Sequence, residues 1–220
     1  MVKEKNITKL PKATAKRLPL YLRYLKMLQA SGTICIKSKE FSELTQVPSA
    51  TIRRDFSHLG ELGRSGYGYE VDYLIQVFNG ILDTQEEKRI ALVGFGNLGR
   101  ALAKNNFRRN DNLTIACVFD NNPDLIGQTI DGFEVYPITK LAEVVQRENL
   151  TVAISTVPSQ YSQDAIDEVV HAGITAILNF APDRVEVPSH VQVQYIDLTT
   201  ELQTLILVDQ IQHKQPALVK

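Results

Sequence analysis

Tryptophan is absent from this chain, and cysteine and methionine occur only twice each. Two cysteines cannot build a disulfide-stapled scaffold. Cys35 and Cys117 both lie in β-like apolar runs, so buried free thiols are expected rather than a disulfide or a metal site. Long hydrophobic stretches are missing too: no apolar run approaches a membrane span, and Met1-Val2-Lys3-Glu4-Lys5 lacks the apolar core of a signal peptide. Net charge is almost absent, formally −1. What remains is the composition of an ordinary globular protein, long enough for one large domain or two modest ones and expected in the cytoplasm.

The small net charge hides an asymmetry. Residues 1–70 hold thirteen Lys/Arg against six Asp/Glu, a balance of +7, and the remainder holds eleven against nineteen, a balance of −8. A basic block on a near-neutral chain points to a polyanionic partner, although a lysine-rich N-terminus can also be merely solvated. Leu18, Leu22, Leu25 and Leu28 recur at helical spacing and predict a helix between Ala13 and Ala30. Pro19 is tolerable in a first turn, which moves the expected start later than Ala13. A β-like run (Thr33–Ile36) and a short helix (Glu40–Thr45, capped by Ser38) follow.

Ser49 is the expected cap of a second helix running to Leu59. Ile52, Phe56 and Leu59 form one narrow apolar face. Ala50, Arg54 and Ser57 point the other way, with Arg53 on the flank. Small residues followed by two arginines suit a helix that enters the DNA major groove, where arginine forks to guanine or grips phosphate. Ser49, Ala50, Thr51, Arg53, Arg54 and Ser57 are therefore the candidate DNA-reading residues. The segment from Arg64 to Val71 reads as a glycine-turn hairpin whose basic, aromatic tip, Arg64 and Tyr67, would touch the neighbouring backbone or minor groove. Helix, strand, helix, helix and hairpin is the order of a winged helix; a small interaction domain with a solvated arginine pair is the competing reading. A helical, apolar segment from Asp72 to Leu82 leads onward.

A glycine fingerprint opens the second part of the chain. Gly94-Phe95-Gly96-Asn97-Leu98-Gly99 follows the apolar run Ile90–Val93 and begins a helix, Leu98–Asn105, which is the context in which G-x-G-x-x-G binds a dinucleotide. Strands are expected at Arg89–Val93, Leu113–Phe119, Phe133–Tyr136, Thr151–Thr156, Thr175–Leu178 and Val191–Ile196. Helices near Thr139–Glu148 and Ser159–Ala172 lie between them, so the sheet should be mostly parallel and covered on both faces. Asp120, at the end of the second strand, stands where a carboxylate binds the adenosine ribose and repels a 2′-phosphate, which favours NAD(H) over NADP(H). Thr156, Val157 and Pro158, with Asn179 and Phe180, follow later strands and are assigned to the nicotinamide side.

The last helix, Glu201–Gln212, carries Leu202, Leu205, Ile206, Leu207, Val208 and Ile211, more apolar surface than an outer helix needs. A helix lent to a second subunit explains that surface, and a dimer suits a DNA reader. The expected fold is thus α/β: a winged-helix domain over 1–82, a Rossmann-like doubly wound domain over 83–198, and a C-terminal segment, 199–220, exchanged between subunits. Catalysis has little support. No histidine follows a strand end in the sheet, and Tyr136-x-x-x-Lys140 imitates a dehydrogenase pair but has Pro137 after the tyrosine and no serine upstream. Two alternatives stay open: an NAD-dependent oxidoreductase with an N-terminal oligomerisation module, and a CoA- or nucleotide-binding scaffold with no switch.

Several segments together resemble a known family, the bacterial redox-sensing repressor Rex. They are Pro11–Tyr21, Ser49–Phe56, Gly66–Tyr69, Gly96–Gly99, Leu178–Phe180 and Ile196–Leu198. The resemblance implies a homodimer that binds palindromic operator DNA when NADH is low and leaves it when NADH rises, with NADH and NAD+ as ligands and exchanged C-terminal helices. It also implies that Arg17 and Asp197 take part in switching. Family members often carry an aromatic near the nicotinamide in the helix after the fingerprint, where this chain has Asn105.

Overall fold

The structure, a computed structural model, describes residues 10–64, 67–82, 86–105 and 112–214; the side chains of Arg64, Asn105, Gln212 and Lys214 lie outside that description. The chain divides into two units between Glu86 and Glu87.

The first unit runs α1 (Lys12–Ala30), β1 (Cys35–Ile36), α2 (Ser38–Thr45), α3 (Ser49–Ser57), β2 (Gly63–Arg64), β3 (Gly68–Glu70) and α4 (Val71–Leu82). β1, β3 and β2 form an antiparallel sheet in that order, giving the winged-helix arrangement. The helices close over an aromatic core in which Phe56 meets Tyr21 and Phe78 edge-on, each at 5.6 Å between ring centroids. Such edge-to-face pairs stabilise beyond the area they bury.

Three local expectations need correction here. α1 begins at Lys12, not later than Ala13, and carries Pro19 in its interior instead of its first turn. The missing N–H would have bonded the Ala15 carbonyl, and Ala15 lies on the exposed side of the helix, so the lost bond does not fall in the core. Ser38 and Ser49 are first residues of α2 and α3, not caps; Lys37 and Pro48 occupy the cap positions, and α3 has no side-chain cap bond. Pro48 suits that place because its fixed φ leads into a helix without a needed donor.

The second unit runs β4 (Lys88–Val93), α5 (Asn97–Asn105), β5 (Leu113–Asp120), β6 (Thr129–Ile130), β7 (Phe133–Pro137), α6 (Leu141–Glu148), β8 (Val152–Ser155), α7 (Ser162–His171), β9 (Ala176–Asn179), β10 (Gln192–Tyr195) and α8 (Leu198–Lys214). The sheet order is β10-β9-β8-β4-β5-β7-β6, parallel except for β6. β4 lies in the middle, with the chain turning to opposite sides after it, so the switch point of this doubly wound sheet falls between β4 and β8. Helices cover both faces, and two apolar clusters form, one around Ala91, Phe119 and Val144, the other around Leu92, Phe95 and Val118. Burial on both faces explains why β4 reads as a continuous apolar run instead of an alternation. Cys117 is buried and Cys35 half-buried, both as free thiols. Every described side chain of α8 is exposed; Leu205 is at 64%.

Candidate functional site

The fingerprint turn is built as its glycines require. Gly94 has φ +90°, a left-handed conformation that other residues rarely adopt, and a Cβ there would press on Thr156. A Cβ on Gly99 would collide with the Gly94 carbonyl oxygen, so this glycine lets α5 start directly against the turn. Gly96 is different: nothing lies within 4 Å of its would-be Cβ. That open direction faces a cavity of about 660 Å³ lined by Val93, Gly94, Gly96, Asn97, Leu98, Asp120, Thr156, Val157 and Pro158 among others. The residues fit a dinucleotide: α5 has no acidic residue in its first turn, leaving the N–H groups there to a phosphate.

Two side chains hold the cleft. Thr156 donates from Oγ1 to the Gly94 carbonyl at 2.7 Å, joining the loop after β8 to the turn after β4. Asp120 accepts the Phe95 N–H at 2.5 Å and the Asn122 N–H at 2.8 Å. Four residues expected at the cofactor are not among the described lining of the cavity. Phe95 is fully buried and packs against Phe133, offering the site only its backbone. Gly99 is buried in the contact of helix and turn. Asn179 is also fully buried; its side-chain amide donates to Ser162 at 3.2 Å and accepts the Ala181 N–H. Phe180 packs, half-buried, on the apolar cluster around Leu92.

The cavity has a further wall that strand-end reasoning missed, formed by Ile138, Tyr161, Asp164, Ala165 and Glu168. Tyr161, Asp164, Ala165 and Glu168 recur at helical spacing, so one face of α7 and the turn before it was the available signal. Asp120, Asp164 and Glu168 bring three carboxylates to the lining and no Lys or Arg is among its described residues, a setting hostile to an extra phosphate.

Tyr136 lies outside the cavity lining, and its hydroxyl donates to Glu134 at 2.9 Å. That bond, with burial, raises its pKa, the opposite of what a catalytic tyrosine needs. No group of three metal-ligating side chains occurs among the described residues.

In the first unit, α3 exposes Ala50, Arg53, Arg54 and Ser57 and half-exposes Ser49 and Thr51, while Ile52, Asp55 and Phe56 are buried. Tyr67 is 66% exposed at the hairpin, whose residues Ser65 and Gly66 lie outside the described residues. Arg17 is not free: Nε and Nη2 fork onto the Asp55 carboxylate at 2.6 and 2.7 Å. Asp197 accepts from the backbone N–H groups of Thr199 and Thr200 and from the Thr200 hydroxyl, capping α8. These bonds, the Thr200 hydroxyl foremost, lower its pKa.

The chain is 71% identical over 198 residues to the redox-sensing transcriptional repressor Rex 2 of Enterococcus faecalis, covering 90% of this chain and 92% of that protein. It belongs to the Rex family of redox-sensing transcriptional repressors. The Rex repressor of Latilactobacillus sakei is 56% identical over 91% of this chain and 97% of its own. Residues 85–183 match the family model described as "CoA binding domain", and residues 9–57 the one described as "Putative DNA-binding protein N-terminus". Among solved structures, RSP, a Rex-family repressor, matches with a TM-score of 0.83 at 31% identity over 92% of this chain and 95% of that one. RSP in complex with β-NAD+ and operator DNA matches with 0.81, also at 31% identity, over 93% and 98%. Its complex with β-NADH gives 0.80 at 30% identity, over 93% and 97%. Membership in a repressor family sets the oxidoreductase alternative aside.

Proposed function

We propose that this Rex-family chain is a cytoplasmic repressor that binds palindromic operator DNA as a homodimer and leaves it when NADH rises relative to NAD+. The observation that carries this reading is the pairing of a winged helix with a glycine-fingerprint cavity at the switch point of a doubly wound sheet. The proposed domains are residues 1–82 for DNA, 83–198 for NAD(H), and 199–220 for exchange between subunits, supported by the exposed apolar α8.

The N–H groups at the start of α5 hold the pyrophosphate, and Asp120 takes the adenosine ribose. Thr156, Val157 and Pro158 face the nicotinamide end. NADH and NAD+ differ by one hydride, a neutral puckered ring against a charged planar one. The protein responds only as far as its two conformations bind those rings with different affinity. Arg53 and Arg54 read base edges or phosphates, with Ser49, Ala50, Thr51 and Ser57 around them and Arg64 and Tyr67 on the wing. Two such helices in a dimer read half-sites about 34–36 Å apart. Arg17 and Asp197 are the proposed switch residues. Each is already engaged, Arg17 by Asp55 and Asp197 by α8, so switching means exchanging partners rather than filling an empty valence.

Selection of bound duplexes from a random library tests this reading. A palindrome with half-sites one helical turn apart is expected. Recovery of no preferred sequence, with NADH binding intact, would count against it.

A further inference from the structure

A carboxylate sits in the buried face of α3. Asp55 is three residues beyond Ile52 and next to Phe56, and it is only 2% exposed. Alone, a buried charge there would be strongly destabilising. It is not alone. Thr14 Oγ1 donates to Oδ1 at 2.8 Å, Tyr21 OH to Oδ2 at 2.7 Å, and Arg17 contributes the fork already described. Thr14, Arg17 and Tyr21 are three and four residues apart, so they form one stripe of donors along α1. The opposite side of α3 carries Arg53 and Arg54 into solvent.

The apolar contacts of Ile52 and Phe56 hold α3 against the core but are non-directional, and they tolerate a small roll about the helix axis. The fork of a guanidinium on a carboxylate does not, because both N–H groups must stay near the carboxylate plane. A roll of about 20° moves a side-chain head about 6 Å from the axis by about 2 Å. That is enough to break a bidentate contact with a base edge. Burial works to raise the Asp55 pKa, but the bonds from Arg17, Tyr21 and Thr14 outweigh it and hold the group ionised.

We propose that Asp55 is a positioning residue for operator recognition: gripped by Thr14, Arg17 and Tyr21, it sets the roll of α3 and so aims Arg53 and Arg54 at the DNA. The inference rests on the reading of α3 as the recognition helix.

The test uses the full chain and two variants. One replaces the whole polar cluster by apolar groups of similar shape (Thr14→Val, Arg17→Met, Tyr21→Phe, Asp55→Leu), a change that leaves stability nearly unaltered when no partner is orphaned. The other is Asp55→Asn, which keeps the shape and leaves Arg17 in place. Asp55→Asn is expected to bind NADH as the wild type does; the cluster variant also removes the proposed switch residue Arg17 and is read on DNA alone. Both should lose about tenfold or more in affinity for the selected operator while losing much less on random duplex, so the specificity ratio falls. A folded variant of either kind that discriminates as the wild type does overturns the proposal. So does an equal loss on both duplexes with a salt slope reduced by about one in the cluster variant, since Arg17 would then be a phosphate contact. Arg54→Ala separates the two layers. If it leaves operator binding unchanged, the recognition-helix reading itself fails; if it lowers binding and the Asp55 variants do not, only the positioning role fails.

Discussion

Asp120 Oδ2 accepts the backbone N–H of Phe95 at 2.5 Å, so the carboxylate that ends β5 holds the turn that follows β4. The same side chain lines the cavity, and one residue thus both shapes the fingerprint turn and forms part of the cleft wall. Asp120→Ala should weaken NADH binding by about 1.5–3 kcal/mol, the usual contribution of a hydrogen bond to a charged group. The preference for NADH over NADPH should shrink with it, because the charge that repels a 2′-phosphate is gone. Titrations followed by nicotinamide fluorescence measure both, and an undiminished preference would place discrimination on Asp164 and Glu168 instead.

Gly96 and Gly99 predict opposite kinds of damage. A Cβ on Gly96 meets nothing of the protein, so Gly96→Val should fold normally and lose NADH by filling the phosphate's place. A Cβ on Gly99 collides with the Gly94 carbonyl, so Gly99→Ala should lower the melting temperature as well. Thermal melts of both variants beside NADH titrations check this. Equal melting temperatures would mean that the turn gives way more easily than its geometry implies.

The buried cluster in the first unit gives stability a pH dependence of known sign. Asp55 has a folded pKa below its ordinary value, so its contribution is complete above about pH 4 and is lost as pH falls through the lower, folded value. Tyr21 is shifted upward, first by burial and then by its bond to Asp55, so its contribution holds up to about pH 10 and is lost as pH rises through the folded value. Urea unfolding of wild type and Asp55→Asn at pH 6 and pH 3 should show a stability gap that narrows at pH 3. A constant gap would contradict the assignment of that gap to an ionised Asp55.

Much of the fold was legible because it repeats simple signals. The alternation of strand and helix after Lys88, with Gly94, Gly96 and Gly99 after the first strand, dictates the doubly wound sheet and the place of its cleft. The first unit was legible through the leucines of α1 and the split faces of α3. What escaped depended on contacts between distant segments or on a signal passed over. β6 pairs with β7 through Asp131 and Gly132, both at positive φ, and an Asp-Gly between apolar residues is a strong short-range hairpin signal. Asp55 was hidden because an inward face announces itself through apolar residues, and the donors that let a carboxylate join it lie 34 to 41 residues away. Asn179 stands at a strand end, as a ligand-binding residue would. Its inward turn toward Ser162 depends on how α7 packs against β9, which spacing along the chain does not reveal.

α8 carries the prediction for assembly. Leu202, Leu205 and Ile206 are 57, 64 and 50% exposed on a helix at the end of the second unit. Exposed apolar surface of that extent marks an interaction site. Leu205→Glu with Ile206→Glu should shift the protein from dimer to monomer in light scattering and abolish binding to a two-half-site operator. Each second unit should keep its NADH affinity. A variant that remains dimeric would remove α8 from the interface.

Redox control of operator binding is measured by fluorescence anisotropy of the full protein on its selected palindromic duplex, at fixed salt, titrated with NADH in the absence and presence of NAD+. Release by NADH is expected, with NAD+ raising the NADH concentration needed. Tight binding to the duplex that neither nucleotide alters, under conditions where NADH demonstrably occupies the protein, would contradict it.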